Sequence, residues 1–354
     1  MSGLIASESF SLREKSEVLC EFLWRFAHAS TVERGYDPTV ERASSSEECL
    51  FRRLVSCHVR EQLDLKLVDI PEEEVKVEVR EEYKEQCALL EKTVGQHYEA
   101  GRVAALTICA EDGRFKRCLV SRPIATNFSM RRGAMRGYWA VMDGRVVFLK
   151  DTWRQYVLEP EGRILKDLEA HGVKNIPHVE HDGDVPKVMY SFQCTETDLY
   201  REAEWLCHGG ARIVVHPRVH HRLVLKEVGF PLQTLRGTKE LLNATHDAFQ
   251  ALIAAHDNAR RIHRDISAGN VMFYRKPYED HRTGYLIDWE LSSKVQEDGQ
   301  ATDKYIVVRI ALFGTRIFLS QRLEARSQRR HMLQDDMEAL LYVVAYCGLH
   351  WLQH

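Results

Sequence analysis

Several absences narrow what this chain does before any motif is read. Its longest apolar stretch, residues 339–352, falls short of the roughly 20 residues that span a bilayer, so no membrane partner is expected. Residues 1–15 mix Ser, Glu, Arg and Lys and lack the apolar centre of a signal peptide, which predicts an intracellular protein of cytoplasm or nucleus. The nine cysteines are odd in number, scattered and without a Cys-x-x-Cys pair, a pattern that fits reduced thiols better than disulfides or zinc ligands. Positive charge is not in excess either. With 49 basic and 52 acidic side chains the formal charge is −3, so no nucleic-acid partner is expected. His208, His216, His220 and His221 form a histidine-rich stretch, but without cysteine partners they read as a strand edge or loop rather than a metal site. What is present, 44% hydrophobic and 29% charged residues over 354 positions, suits a soluble globular protein large enough for two or three lobes.

The organising stretch is Ile262-His263-Arg264-Asp265-Ile266-Ser267-Ala268-Gly269-Asn270, followed by Leu286-Ile287-Asp288-Trp289-Glu290. Asp265 and Asn270 are five apart, Asp288 follows 23 residues after Asp265, and strand-like runs flank the gap. That is the layout of a phosphoryl-transfer site, where the protein has little covalent work and must hold metal ions against phosphates and a carboxylate against the incoming hydroxyl. Asp265 is the expected proton acceptor. Asn270 and Asp288 supply the oxygen ligands that a hard cation such as Mg²⁺ prefers. Upstream, Gly133 and Gly137 precede a strand, an Asp143-Gly144 turn and a second strand ending in Lys150. Together they suggest a glycine flap over ATP phosphates with a lysine that pairs with them, although one glycine of the usual three is missing. Glu161, with Glu159 as competitor, opens a predicted helix from which a carboxylate would aim Lys150. Glu227 and Val228, at a strand exit, are the adenine-side candidates. Asp336, at the start of the helix running through residues 339–352, is the candidate support for the catalytic-loop backbone.

The remaining chain supplies scaffolding. Ser11-Leu12-Arg13-Glu14 reads as a capping box opening a helix whose Val18, Leu19, Phe22 and Phe26 form a core stripe. Residues 43–48 read as loop. Residues 72–91 alternate charges with Val75, Val77 and Val79 before turning helical, and residues 103–109 with 117–120 form a predicted hairpin. Leu241, Leu242, Thr245, Phe249, Leu252, Ile253 and His256 mark a long amphipathic helix leading into His263.

At these residues the chain resembles the fungal-type protein kinase domain family, a branch of the protein-kinase-like fold. The resemblance is carried by Phe22-Leu23-Trp24-Arg25-Phe26, Arg34-Gly35-Tyr36-Asp37-Pro38-Thr39-Val40, Leu149-Lys150-Asp151-Thr152-Trp153-Arg154, the stretch around Asp265, Leu286-Ile287-Asp288-Trp289, Gly314-Thr315 through Ser320, and Asp336-Met337-Glu338. It implies an α+β, two-lobed fold: a helical extension over residues 1–100, a β-rich N-lobe over 101–228 and a helical, apparently truncated C-lobe over 229–354. It further implies ATP, Mg²⁺ and a protein serine or threonine acceptor, with Asp265 as base, Asn270 and Asp288 on metal and Lys150 on phosphate. The chain departs from that pattern with Ser267 where most such kinases carry lysine, with Asp288-Trp289-Glu290 for Asp-Phe-Gly, and with an end soon after the Asp336 helix. Two other readings follow from these departures: a small-molecule kinase of the aminoglycoside or choline type, since Ile-Asp-Trp-Glu resembles theirs, and a non-catalytic pseudokinase scaffold.

Overall fold

A computed structural model describes residues 10–67, 80–109, 113–127, 135–188, 191–196, 217–302, 316–325 and 330–351. In chain order the elements are α1 (Ser16–His28), β1 (Val40–Arg42), α2 (Ser45–Leu63), α3 (Arg80–His97), β2 (Ala104–Cys109), β3 (Phe115–Asn127), β4 (Met135–Met142), β5 (Arg145–Gln155), α4 (Glu161–Ala170) and β6 (Val179–Asp184). Then follow β7 (Pro186–Val188), β8 (Ser191–Phe192), β9 (Arg218–Leu225), β10 (Phe230–Pro231), α5 (Thr238–Ala259), β11 (Arg261–Ile262), β12 (Val271–Arg275), β13 (Arg282–Leu286), β14 (Ser293–Lys294), α6 (Gln321–Ala325) and α7 (Leu333–His350). The chain folds into two compact units, one of Met1–Cys57, Cys87–Leu158 and His181–Leu223, the other of His58–Gln86, Glu159–Glu180 and Val224–His354. No described helix is long and apolar enough to cross a membrane.

The first unit is built on a seven-stranded sheet ordered β1-β2-β3-β4-β5-β9-β6, whose first five strands are antiparallel neighbours. Strand formation follows from runs of β-branched and aromatic residues, and Asp143 and Gly144, both at positive φ, make the tight turn that joins β4 to β5. Pro123 lacks a backbone donor and lies where the β3–β4 register slips. Ala105, Ile108, Trp139, Ala140, Val147 and Leu149 are core residues, and the His97 ring stacks on Trp139 at 3.7 Å. Lys150, expected at a strand end, sits mid-strand instead: β5 continues to Gln155, and the lysine is buried opposite Gly137 of β4. At Gly137 a Cβ would come within 2.9 Å of the Phe148 ring, so that glycine answers a packing need across the β4–β5 pair.

Two N-terminal expectations are corrected. Residues 11–14 form a turn, α1 begins only at Ser16 without a side-chain cap, and none of its residues is buried, Phe22 and Trp24 being 60% and 63% exposed. Periodicity reports that a face is apolar, not that anything covers it. Residues 43–48, read as loop, hold the start of α2: the Ser44 hydroxyl and amide both donate to Glu47 (2.9 and 2.7 Å) and the Glu47 amide returns to Ser44 Oγ at 3.3 Å, a complete capping box.

The second unit packs α5 against α7 and the β12–β13 hairpin, and β10 extends that hairpin to three strands. The amphipathic helix predicted over 241–256 is α5, but its buried seam is made largely by Ala244, Ala248, Ala251, Ala255 and Ala259, with Leu242 exposed. Beside Ala244 the β13 backbone comes very close: a Cβ on Gly284 would lie 2.3 Å from the Ala244 carbonyl oxygen, so the strand carries glycine there. Arg282 is buried over the Phe273 ring at 4.3 Å and donates twice to Glu240, at 2.6 Å each, which ties the same hairpin to the first turn of α5.

Candidate active site

The stretch from Ile262 to Asn270 runs from the last residue of β11 to the start of β12 in the second unit, and its backbone is held by a carboxylate of α7. The Asp336 carboxylate, fully buried in the first turn of α7, accepts the amides of His263 (2.8 Å) and Arg264 (2.9 Å) and contacts His331 Nε2 at 2.9 Å. Asp336 therefore performs the supporting part expected of it. His263 is itself fully buried: Nε2 meets the Ile287 carbonyl at 3.1 Å, Nδ1 accepts the Asp265 amide at 3.3 Å, and the ring packs edge-on to Trp289 at 4.6 Å. A histidine with its proton on Nε2 satisfies both bonds, so this side chain links the Asp265 loop to the Asp288 loop as a spacer.

Asp265 and Asn270 are brought together. The Asn270 amide nitrogen donates to the Asp265 carbonyl oxygen at 2.7 Å and approaches its carboxylate at 3.4 Å. With the nitrogen so engaged, the amide's oxygen is the end directed away from Asp265. Asp288 reaches the same end of the hairpin: Val271 pairs with Leu286, and the Ile287 amide donates to the Asn270 carbonyl at 2.9 Å. Asp288 itself stands at φ 65, a left-handed conformation that costs a non-glycine residue ~1 kcal/mol or more and that aspartate tolerates better than most. The turn that follows it, Trp289–Leu291, is pinned by the fully buried Trp289, whose indole donates to the Leu286 carbonyl at 3.0 Å and whose backbone amide donates to Glu161 Oε1 at 3.0 Å.

Glu161 was expected to serve Lys150. In its own unit it reaches the Asp288 turn, and one carboxylate oxygen each from Glu161, Asp288 and Glu290 lies within 4.8 Å of the other two, a group able to hold a cation. Sequence reasoning missed Glu290, although it stands two residues beyond Asp288 in the same turn. The competitor Glu159 is instead paired with Arg261 at 2.8 Å, whose other arm donates to Ser292 Oγ at 3.0 Å. The oxygens of Asp288, Glu290 and Glu161 make a donor set that is hard and anionic, the chemistry that suits Mg²⁺ and not a soft metal.

The adenine-side candidates are buried at the exit of β9. Glu227 accepts the His178 amide (2.8 Å) and contacts its Nδ1 (2.7 Å), while the Val228 carbonyl meets His58 Nε2 at 2.8 Å. Burial pushes the His58 imidazole down to about 4, so at neutral pH it is an uncharged donor to that carbonyl. Gly229, next in line, is required by close approach, since a Cβ there would fall 2.1 Å from the Phe273 carbonyl oxygen. Gly133 of the predicted flap lies outside the described residues, as do His208, His216 and Thr315. His220 and His221 are described, and both are buried against carboxylates.

A chain with a large antiparallel sheet, a helical unit and this loop pair has the architecture of a kinase-like fold. The fungal protein kinase family model matches residues 1–347, and the chain belongs to that family. No curated protein matches it. Membership supports protein kinase activity.

Proposed function

We propose that the chain transfers the γ-phosphoryl group of Mg-ATP to serine or threonine hydroxyls of a protein. The observation that supports this reading is the loop held by Asp336, in which Asn270 is hydrogen-bonded to Asp265 and the Ile287 amide to the Asn270 carbonyl, so that the backbone of Asp265, Asn270 and Asp288 runs along one end of a hairpin. When bound, Mg-ATP supplies the transferable phosphoryl group and the cation that offsets its charge. Asp265 orients the incoming hydroxyl and takes its proton. Asn270 and Asp288 present oxygens to the cation, with Glu161 fixing the Asp288 turn through the Trp289 amide. Lys150, buried in mid-strand in the first unit, is the cation for the phosphates, and backbone groups of Glu227 and Val228 serve the adenine. Family membership supports the kinase part of this reading, and the backbone support from Asp336 favours a working catalytic loop over a scaffold.

The test is Asp265→Asn, assayed by transfer of labelled phosphate to serine and threonine peptides. A loss of about 10²–10⁴-fold in kcat is expected for removal of a general base, and an unchanged rate rejects the assignment. The acidic pair Asp288 and Glu290, with Ser267 in place of a lysine, favours one second reading, a small hydroxylated amine as acceptor. Running such amines beside the peptides separates the two. Thermal stabilisation by Mg-ATP, roughly 2.7 kcal/mol at about a hundred times its dissociation constant, separates both from a scaffold.

A further inference from the structure

Lys150 and Asp151 are neighbours on β5, so their side chains leave opposite faces of the sheet. Behind the lysine, on the Asp151 face, five side chains close a ring. Arg222 of β9 is almost wholly buried and donates from Nε to Asp151 Oδ1 (3.0 Å) and from Nη2 to Asp37 Oδ2 (2.6 Å). Its Nη1 donates to Thr39 Oγ1 (2.7 Å) and to the Thr107 carbonyl (2.8 Å). His220 Nε2 meets the same Asp151 oxygen at 2.7 Å and its Nδ1 meets Gln193 Oε1 at 2.9 Å, and Gln193 Nε2 donates to Asp37 Oδ1 at 2.9 Å, which completes the circuit. Trp153 stacks on the His220 ring at 4.8 Å. Thr39 also donates from its amide (2.9 Å) and hydroxyl (2.7 Å) to Asp37, so the carboxylate is fixed before it meets Arg222.

The ring joins segments far apart in sequence, and one of them, Asp37 to Thr39, precedes every residue assigned to phosphoryl transfer. The family model starts at residue 1, so this segment belongs to the shared domain. We propose that Asp37 is a positioning residue for Lys150: by holding Arg222 it fixes Asp151, and with it the strand that carries the lysine. The inference rests on the assignment of Lys150 to the nucleotide phosphates. It makes the residues around Asp37 part of the nucleotide site without contact to the nucleotide.

The experiment labels the full chain with an acyl-phosphate derivative of ATP, which acylates a lysine held at the phosphates, and follows Lys150 by mass spectrometry with and without competing Mg-ATP. In the wild type Lys150 is labelled and Mg-ATP protects it. Asp37→Asn is expected to slow that labelling at least about tenfold, the scale on which a small displacement of a reacting group acts. Asp37→Glu should recover part of the rate. Ile108→Val, a core change on β2 that lowers stability but leaves the ring intact, should label as the wild type does. If Asp37→Asn does not fold, Thr39→Val removes one partner each of Asp37 and Arg222 without changing charge, and it should also label more slowly. Labelling of the folded Asp37 or Thr39 variant at the wild-type rate overturns the positioning role. Absence of Mg-ATP-protected labelling in the wild type overturns the phosphate assignment of Lys150 itself, and the proposal with it.

Discussion

The two units each hold a critical segment with carboxylates, fully buried in the second unit and partly buried in the first, but they grip different things. In the second unit Asp336 binds backbone, taking the amides of His263 and Arg264. In the first, Asp151 and Asp37 bind side chains, chiefly the guanidinium of Arg222. A backbone grip does not depend on which side chains the loop carries, so the loop is free to spend its side chains on chemistry. A side-chain grip uses up every group it touches, and charge balance becomes part of its stability: Asp151 is held down to about 2 by His220 and Arg222 against the burial that opposes it.

Breaking the backbone grip should have the largest effect. Asp336→Ala leaves two amides and the His331 ring without their shared acceptor in a buried site, and a cost of about 3–5 kcal/mol is expected in urea unfolding, with phosphoryl transfer falling in step as the loop loses its register. Asp336→Asn keeps one acceptor oxygen and should cost clearly less. Breaking the side-chain grip comes next. Arg222→Met takes the guanidinium from the partly buried Asp37 and Asp151 and should cost about 3 kcal/mol, less than complete loss because His220 Nε2 still contacts Asp151 Oδ1. Equal losses for Asp336→Asn and Asp336→Ala would show that the carboxylate acts by charge alone and would erase the contrast between the units.

The same difference decides what the sequence discloses. The backbone-held loop is legible because its residues lie within one short stretch at fixed spacing, and Asp336 stands where a helix start is visible from the acids that precede its apolar run. The ring around Arg222 is not legible. Its members come from positions 37, 151, 193, 220 and 222, and no local pattern distinguishes a buried arginine in an apolar strand from an exposed one. Strand pairing β5 to β9 creates the site, and pairing is a tertiary fact. The exposed face of α1 shows the converse limit, a clear apolar stripe from which burial does not follow. Glu161 lies between these cases. Its place at the start of α4 was readable, but its bond to the Trp289 amide was not, because it depends on how α4 meets the Asp288 turn.

Two histidines sharpen the comparison by titrating in opposite senses. His58, in the second unit, has a carbonyl as its acceptor and is depressed from 6.5 to about 4 by burial. Its contribution is present above 6.5 and is lost as pH falls through about 4, by no more than ~3 kcal/mol. His221, in the first unit, lies between Asp184 (2.8 Å) and Asp182 (2.7 Å), with Arg154 also on Asp184, and although burial opposes it those carboxylates raise it above 6.5. Its contribution is complete below 6.5 and is lost as pH rises through the raised value. Urea unfolding across pH should therefore show His58→Gln flattening the acid side of the stability profile and His221→Gln flattening the alkaline side. A matching effect of both on one side would contradict the geometry.

The smallest effect separates two Ser-x-x-Glu sequences in the first unit that look alike on paper. Ser44 and Glu47 bond reciprocally at the start of α2, and Glu47, held down to about 2 chiefly by its bond to Arg117, also anchors that guanidinium at 2.5 Å. Ser11 and Glu14 stand in a turn from which no such reciprocal bond arises, and α1 starts later without them. Ser44→Ala should lower stability by about 1 kcal/mol, the usual cost of removing an N-cap, and Ser11→Ala should leave it unchanged within a few tenths. If Ser11→Ala costs as much as Ser44→Ala, α1 is capped as its sequence suggests, and its exposed stripe is held by contacts formed only when that turn is intact.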